Sequence, residues 1–275
     1  MLLATILALA SAALHAGWNL RLKTSDDRVV TTAAQFAFGG VVYLPIFIFS
    51  GLPDADVLGL LAISTLIHVL YLACLIRSYA TGDFSMAYPL ARGGGAMIAS
   101  IGGIAFLGDD VPPLAAAAMI IVGLGLASLV RPGTPLHAIG WGALTASLIG
   151  SYTLVDSAGA RDSGVSYAIA IGAAVAVAFN AGVIALGRGH ALVTSIATDW
   201  RGHLAAGICS HGAYLLVLIA VNYAPVGYVA TLRESSVVLG AALGWWLLRE
   251  RLAAPRVASS AIVAAGMVML IAARP

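Results

Sequence analysis

Charge is what this sequence has least of. Only 9% of its 275 residues are Asp, Glu, Lys or Arg, where a soluble globular domain carries about 25%. With 61% of the chain apolar and a mean hydropathy of +0.99, no water-facing surface can be assembled, so the solvent for most of the chain is lipid. Cysteine is almost missing. Cys74 and Cys209 each sit in an apolar run without metal-ligand spacing, which excludes a disulfide framework and a zinc site read from cysteines. The chain has no GxxxxGK[ST] stretch to hold ATP phosphates, no HExxH and no GxSG, so neither ATP hydrolysis nor a familiar metal or serine centre is expected. No cofactor is expected. A net charge of only +2 gives no basic patch for nucleic acid. Residues 1–16 contain a small-residue pattern at Ala8-Leu9-Ala10 but lack a basic segment before it. They read as a first spanning helix, not as a cleaved signal.

What is present is a succession of apolar stretches of the length a bilayer requires, about 20 residues each. They run approximately over residues 2–22, 29–50, 57–80, 84–107, 111–130, 136–158, 164–187, 202–224, 226–248 and 253–273. Asp26-Asp27, GLPDAD at 51–56, GDDVPP at 108–113 and RPGTP at 131–135 separate them. The longest connection, 188–201, is expected to hold a short interfacial helix ending at Trp200. Thirty-one glycines imply closely approaching helices, because apolar side chains gain little by leaving lipid.

The chain also repeats itself. A shift of 143 residues carries His68 onto His211 and Tyr71 onto Tyr214. A shift of 141 carries Arg92 onto Arg233, Leu107 onto Leu248 and Asp109 onto Glu250. Each half, 1–132 and 133–275, then holds five helices, and an odd number inverts the second half in the membrane. The expected fold is therefore all-α: ten transmembrane helices as two inverted five-helix repeats around a central cavity. Inverted repeats are typical of secondary transporters, which bind cargo near the midplane.

HAGWNLRLK at 15–23, the ten short spans, and the small-residue helix ending in G-D or an acidic residue in each half resemble the drug/metabolite transporter superfamily. Within it the chain looks most like EamA-type ten-helix proteins and the YddG-like amino-acid exporters. Gly108-Asp109-Asp110 departs from the glutamate usual there, which the second half keeps as Glu250. The resemblance implies a plasma-membrane transporter, bacterial inner membrane in location, with a small-molecule substrate and the lipid bilayer as its partners. It implies termini inside the cell. The basic residues argue the reverse: ten fall on one side (Arg21, Lys23, Arg28, Arg77, Arg131, Arg188, Arg201, Arg249, Arg251, Arg256) and two on the other (Arg161, Arg274). By the positive-inside rule both termini then lie outside, and that reading is followed here. Oligomeric state is left open, a monomer being sufficient for the reading.

Arg92 and Arg233 remain inside the spans, at a cost of about 2.5–3.5 kcal/mol each on insertion scales. Polar residues there must face the bundle interior or a wet cavity. Helical spacing groups His68 with Tyr71, His211 with Tyr214, His15 with Asn19 beside Trp18, and Tyr152 with Asp156. Together with Tyr88, Arg92, Arg233 and Glu234 they form the candidate substrate site. A guanidinium offers a fork to a carboxylate, Glu234 or Asp156 could accept an ammonium group, and the rings supply walls and cation–π contacts. Two readings of Arg92 stay open, as a substrate ligand or as Glu234's interhelical partner. Asp156, close to a span end, has a second reading as a helix cap, and the histidines as core residues. Pro89 and Gly93–Gly95 allow either close packing or local unwinding of the fourth span. Glu234 and the three intramembrane histidines are the candidate proton sites. The expected function is secondary export of amino acids or similar zwitterions by alternating access. Alternatives are a multidrug, lipid-linked or nucleotide-sugar carrier of the same superfamily and, less favoured, an intramembrane enzyme.

Overall fold

The computed structural model describes residues 1–81, 84–128, 135–239, 242 and 254–273, and within them leaves the side chains of residues 20, 23, 78–81, 84–89 and 254–256 undescribed. Among the described residues the chain is wholly helical. The elements are α1 (Leu2–Lys23), α2 (Arg28–Tyr43) continued by a 3-10 turn (Leu44–Ile46) and α3 (Phe47–Ser50), and a second 3-10 turn (Ala55–Val57). There follow α4 (Leu58–Thr81), α5 (Phe84–Phe106), α6 (Pro113–Ala127), α7 (Leu136–Ala185), α8 (Gly189–Ala220), α9 (Val226–Arg233) and α10 (Ala254–Ala273). Among the described residues, five stretches are long and apolar enough to cross a bilayer: 2–19, 28–50, 55–77, 136–185 and 189–220. Three shorter apolar helices accompany them. Ile48, Phe49, Phe106 and Leu136 are each at least 80% exposed, an outer surface suited to lipid chains and not to water.

Local chemistry sets the ends. Proline precedes or opens α6, α7 and α9 (Pro112-Pro113, Pro135, Pro225), where its missing N–H costs nothing. Pro45 breaks the α2 ladder into the 3-10 turn. Asp27 caps α2 by accepting the Val30 amide at 3.2 Å.

Three helices depart from the simple spans. Fifty residues of α7 would make a rod about 75 Å long, far beyond a hydrocarbon layer of about 30 Å. At Gly164, with φ 59° and ψ −135°, the chain doubles back, so that Tyr167 reaches Asp156 at 2.9 Å across eleven residues. That left-handed backbone suits only glycine. The reversal needs no loop: the expected gap at 159–163 is helical. α8 bends at Asp199 (φ −145°, ψ 48°), whose carboxylate accepts the Gly202 amide at 3.1 Å and caps the second limb. Its first limb is the short helix expected before Trp200. Finally, α9 stops after eight residues. The Glu234 amide bonds Thr231 O at 3.0 Å and Val237 N bonds Glu234 O at 2.9 Å, an i to i−3 tightening in what the sequence presents as one continuous span.

The fourth span does not unwind. α5 is helical through Gly93–Gly95, and those glycines serve contact instead. A Cβ on Gly94 would stand 2.9 Å from Ala146 Cβ, and one on Gly95 2.4 Å from Ile149 Cγ2, so α5 lies directly on the first limb of α7. α4 packs on α7, and α1 and α2 pack on α8. Bonds such as Ser11 Oγ to Ala213 O (2.7 Å) and Thr5 Oγ1 with Tyr228 OH (2.7 Å) cross between helices, as polar groups in lipid require.

The two ends of the bundle are tied differently. At one end Arg21 pairs with Asp199, and Arg188 with Asp27, all four partly exposed. The Arg21 contact holds the Asp199 carboxyl below its usual range. At the other end Arg161 pairs with Asp109 (2.7 Å) while bonding Val221 O (3.0 Å) and Leu107 O (3.4 Å). Asp109 in turn accepts the Val226 amide at 2.6 Å. The expected connection at 131–134, and Leu248 and Glu250 of the repeat, lie outside the described residues.

Candidate functional site

Polar side chains on α1, α4, the first limb of α7, α8 and α9 converge on a central cavity of about 90 Å³, which the second limb of α7 lines with apolar residues and Gly172. α1 brings His15 and Trp18, edge to face at 4.9 Å. α4 brings His68 and Tyr71, α7 brings Tyr152 and α9 brings Arg233. α8 brings His211 and Tyr214, with Ser210 beside them.

The densest part is an aromatic cage. His68 stacks on Tyr152 at 4.0 Å and 29°. Tyr71 lies across Tyr152 at 5.3 Å, and Tyr214 lies edge-on to His68 at 5.5 Å and to Tyr152 at 5.9 Å. Behind this wall sits Asp156, with no exposed surface. Its Oδ1 accepts Tyr167 OH at 2.9 Å, its Oδ2 accepts Tyr214 OH, and His68 Nε2 stands 3.8 Å from Oδ2. Asp156 is therefore no end cap, because it belongs to a four-residue cluster drawn from α4, both limbs of α7, and α8.

The two arginines differ. Arg92 is 4% exposed and engages Glu234, itself 3% exposed. Nε donates to Oε2 at 3.3 Å, and Nη2 lies 2.8 Å from Oε1, off the line of an ideal bond. This pair joins α5 to the turn after α9 and is not part of the cavity wall. Arg233 is 5% exposed and faces the cavity, its guanidinium carbon 5.7 Å from the Tyr214 ring centre. It forms no ion pair among the described residues, and its Nε is buried without an acceptor. Its place in the last turn of α9 offsets part of the burial cost, since unpaired carbonyls there favour a cation. Trp18 Nε1 is a second buried donor without an acceptor. Buried polar groups are nearly always bonded, so two orphan donors on residues lining one cavity are unusual.

Of the remaining candidates, Asn19 donates back to His15 O at 2.8 Å and is not in the wall. Tyr88 lies on α5, but its side chain is outside the described set. His211 is held apart from the His68 cluster. Its Nε2 is 3.3 Å from Gly172 O, and it packs edge-on against Phe36 (5.2 Å). A Cβ on Gly39 would meet its ring at 2.1 Å. Phe36, Gly39, Gly40 and Tyr43 of α2, and Tyr167 and Gly172 of α7, are site residues that the sequence reading passed over. The i, i+3/i+4, i+7 spacing of the α2 set was the available signal. Among the described residues no group of three or more His, Cys, Asp or Glu is placed to hold a metal.

Comparisons with known proteins agree with this architecture. One solved crystal structure, 16% identical in sequence, superposes with a TM-score of 0.75 over 97% of this chain and 95% of its own, which establishes a shared fold. No curated protein sequence matches the chain. The second half of the chain, residues 136–272, matches the EamA-like transporter family.

Proposed function

We propose that the protein is a secondary transporter of the drug/metabolite type that exports amino acids or similar small zwitterions by alternating access of two inverted five-helix repeats, 1–132 and 133–275. One observation carries the cargo assignment: Arg233 and Trp18, both lining the cavity, keep buried donors without acceptors. A cargo carboxylate would satisfy them, taking the guanidinium with charge-assisted bonds. The tyrosine cage, backed by the Asp156 carboxylate, receives the ammonium end. The site thus has a positive pole at Arg233 and a negative one at Asp156, with Tyr214 between them. Its hydroxyl is on Asp156 and its ring is under Arg233.

Reconstitution into proteoliposomes with labelled amino acids, cationic drugs and nucleotide sugars tests this directly. Saturable uptake of amino acids, blocked by other zwitterions, is expected. Uptake of drugs or nucleotide sugars alone would sink the assignment.

The orientation proposed is the one set by the basic residues, with both termini outside in a bacterial inner membrane. Arg21 and Arg188 sit at the end opposite Arg161, as that count requires. A C-terminal alkaline phosphatase fusion should be active and a fluorescent-protein fusion dark; the reverse pattern puts the termini inside.

A further inference from the structure

His68 and Asp156 sit where cargo and a proton would meet. His68 Nδ1 is 3.0 Å from the Ser64 carbonyl oxygen. The Ser64 hydroxyl is 3.2 Å from the same nitrogen; a carbonyl only accepts, so the tautomer that satisfies the shorter contact carries its proton on Nδ1 and leaves Nε2 to gain or lose one. That nitrogen points toward Asp156 Oδ2 at 3.8 Å, ion-pair range and one water or a small ring rotation from direct contact. Asp156 can serve as a lasting counter-anion because hydroxyls from two other helical limbs, Tyr167 and Tyr214, already donate to it. A carboxylate so held, with no exposed surface, is not itself open to cargo. The imidazole in front of it is, since His68 lines the cavity and Asp156 does not.

From these placements we infer that His68, held by Asp156, is the proton-binding site of the transporter, and that its protonation and the binding of the cargo ammonium group exclude one another. Both cations need the same cage of Tyr71, Tyr152 and Tyr214 rings and the same Asp156 charge. When Nε2 takes a proton from cavity water, the imidazolium cancels Asp156 and the cage no longer favours an ammonium group. When the proton returns to water, Asp156 is again uncompensated and attracts cargo. One proton moves against one cargo molecule, so a gradient of either drives the other.

Among the described residues, Ser64 and Tyr71 face His68 from its own helix. Tyr152 and Asp156 come from α7, Tyr214 from α8, and Arg233 from α9. Across the cavity is His15 of α1. Among the described residues Arg233 is the charge that opposes the imidazolium, and it is the group a cargo carboxylate neutralises. The Arg92–Glu234 pair contributes no net charge. Sites of this kind, ionisable groups within a bundle and next to a cavity, are where membrane transporters place proton relays.

This inference rests on the cavity being the cargo site, and two readouts keep the two ideas separable. In nanodiscs, the dissociation constant of tritiated L-alanine should rise about tenfold per pH unit on acidification below the His68 midpoint, because one proton is displaced per cargo bound. In His68→Gln it should not change with pH, and in Asp156→Asn the rise should begin only at lower pH. A slope that persists unchanged in both variants, or is absent from the wild type, overturns the exchange. Without cargo, the ring signal of carbon-13-labelled His68 should titrate with pH, and its midpoint should fall in Asp156→Asn. If no amino acid binds at any pH, the cargo reading fails, yet this titration still decides the proton site: a His68 signal that does not titrate, or that ignores Asp156→Asn, overturns it. Should either variant fail to fold, Tyr214→Phe keeps the ring and removes a hydroxyl from Asp156. It should raise the His68 midpoint, and an unmoved midpoint counts against the cluster.

Discussion

Arg233→Ala is expected to weaken amino-acid binding by at least about a hundredfold while leaving the protein folded. Its guanidinium forms no ion pair among the described residues, so truncation removes a buried cation without stranding a partner carboxylate. The lost term is what a cargo carboxylate would have gained. Charge-assisted bonds contribute about 1.5–3 kcal/mol each, and about 1.4 kcal/mol corresponds to a tenfold change in affinity. Arg233→Lys should recover little, since a lysine ammonium lacks the planar fork. Equilibrium binding of labelled L-alanine, with thermal unfolding in detergent as the control, separates the outcomes. An Arg233→Ala protein that binds normally would remove the carboxylate clamp from the account.

Arg92→Ala should do the opposite, damaging stability first. Arg92 and Glu234 are both nearly sealed from solvent and have each other at 2.8 Å. Removing the arginine leaves a buried carboxylate uncompensated, at a cost of about 3–5 kcal/mol. Replacing both, Arg92→Met with Glu234→Leu, should recover most of that loss, because a well-packed apolar pair of similar volume is often neutral or stabilising. Unfolding midpoints for the two singles and the double form the test. If the double variant is as unstable as the worse single, the pair holds something beyond its own charges. If Arg92→Ala is as stable as the wild type yet binds no cargo, Arg92 belongs to the site after all.

The contrast between these arginines shows where sequence reading reaches and where it stops. Their register, 141 residues apart, was plain in the sequence. Their different fates were not, because these depend on backbone geometry. Arg92 lies inside a continuous helix whose next three glycines press against α6 (Gly93) and α7 (Gly94 and Gly95). Arg233 closes a helix that tightens at the following residue. That the chain is built of apolar helices was legible because a membrane span must offer lipid about 20 apolar residues. Asp156 was visible as a polar residue in an apolar span. Its importance was hidden, because Tyr167 reaches it only through the reversal at Gly164, a contact that helical spacing does not forecast. The α2 wall escaped notice for a simpler reason: Phe36, Gly39 and Gly40 carry no charge or polar side chain to draw attention.

The fastening at the two ends of the bundle has a thermodynamic consequence. Partly exposed ion pairs such as Arg21–Asp199 and Arg188–Asp27 contribute about 0–1 kcal/mol and are weakened by salt. At the opposite end, Arg161 binds a largely buried carboxylate and two backbone carbonyls at once, and separating those segments forfeits several charge-assisted bonds together. The molecule is a vessel with one light seal and one heavy one. Ionic strength acts mainly on the light seal, at the face richest in arginine.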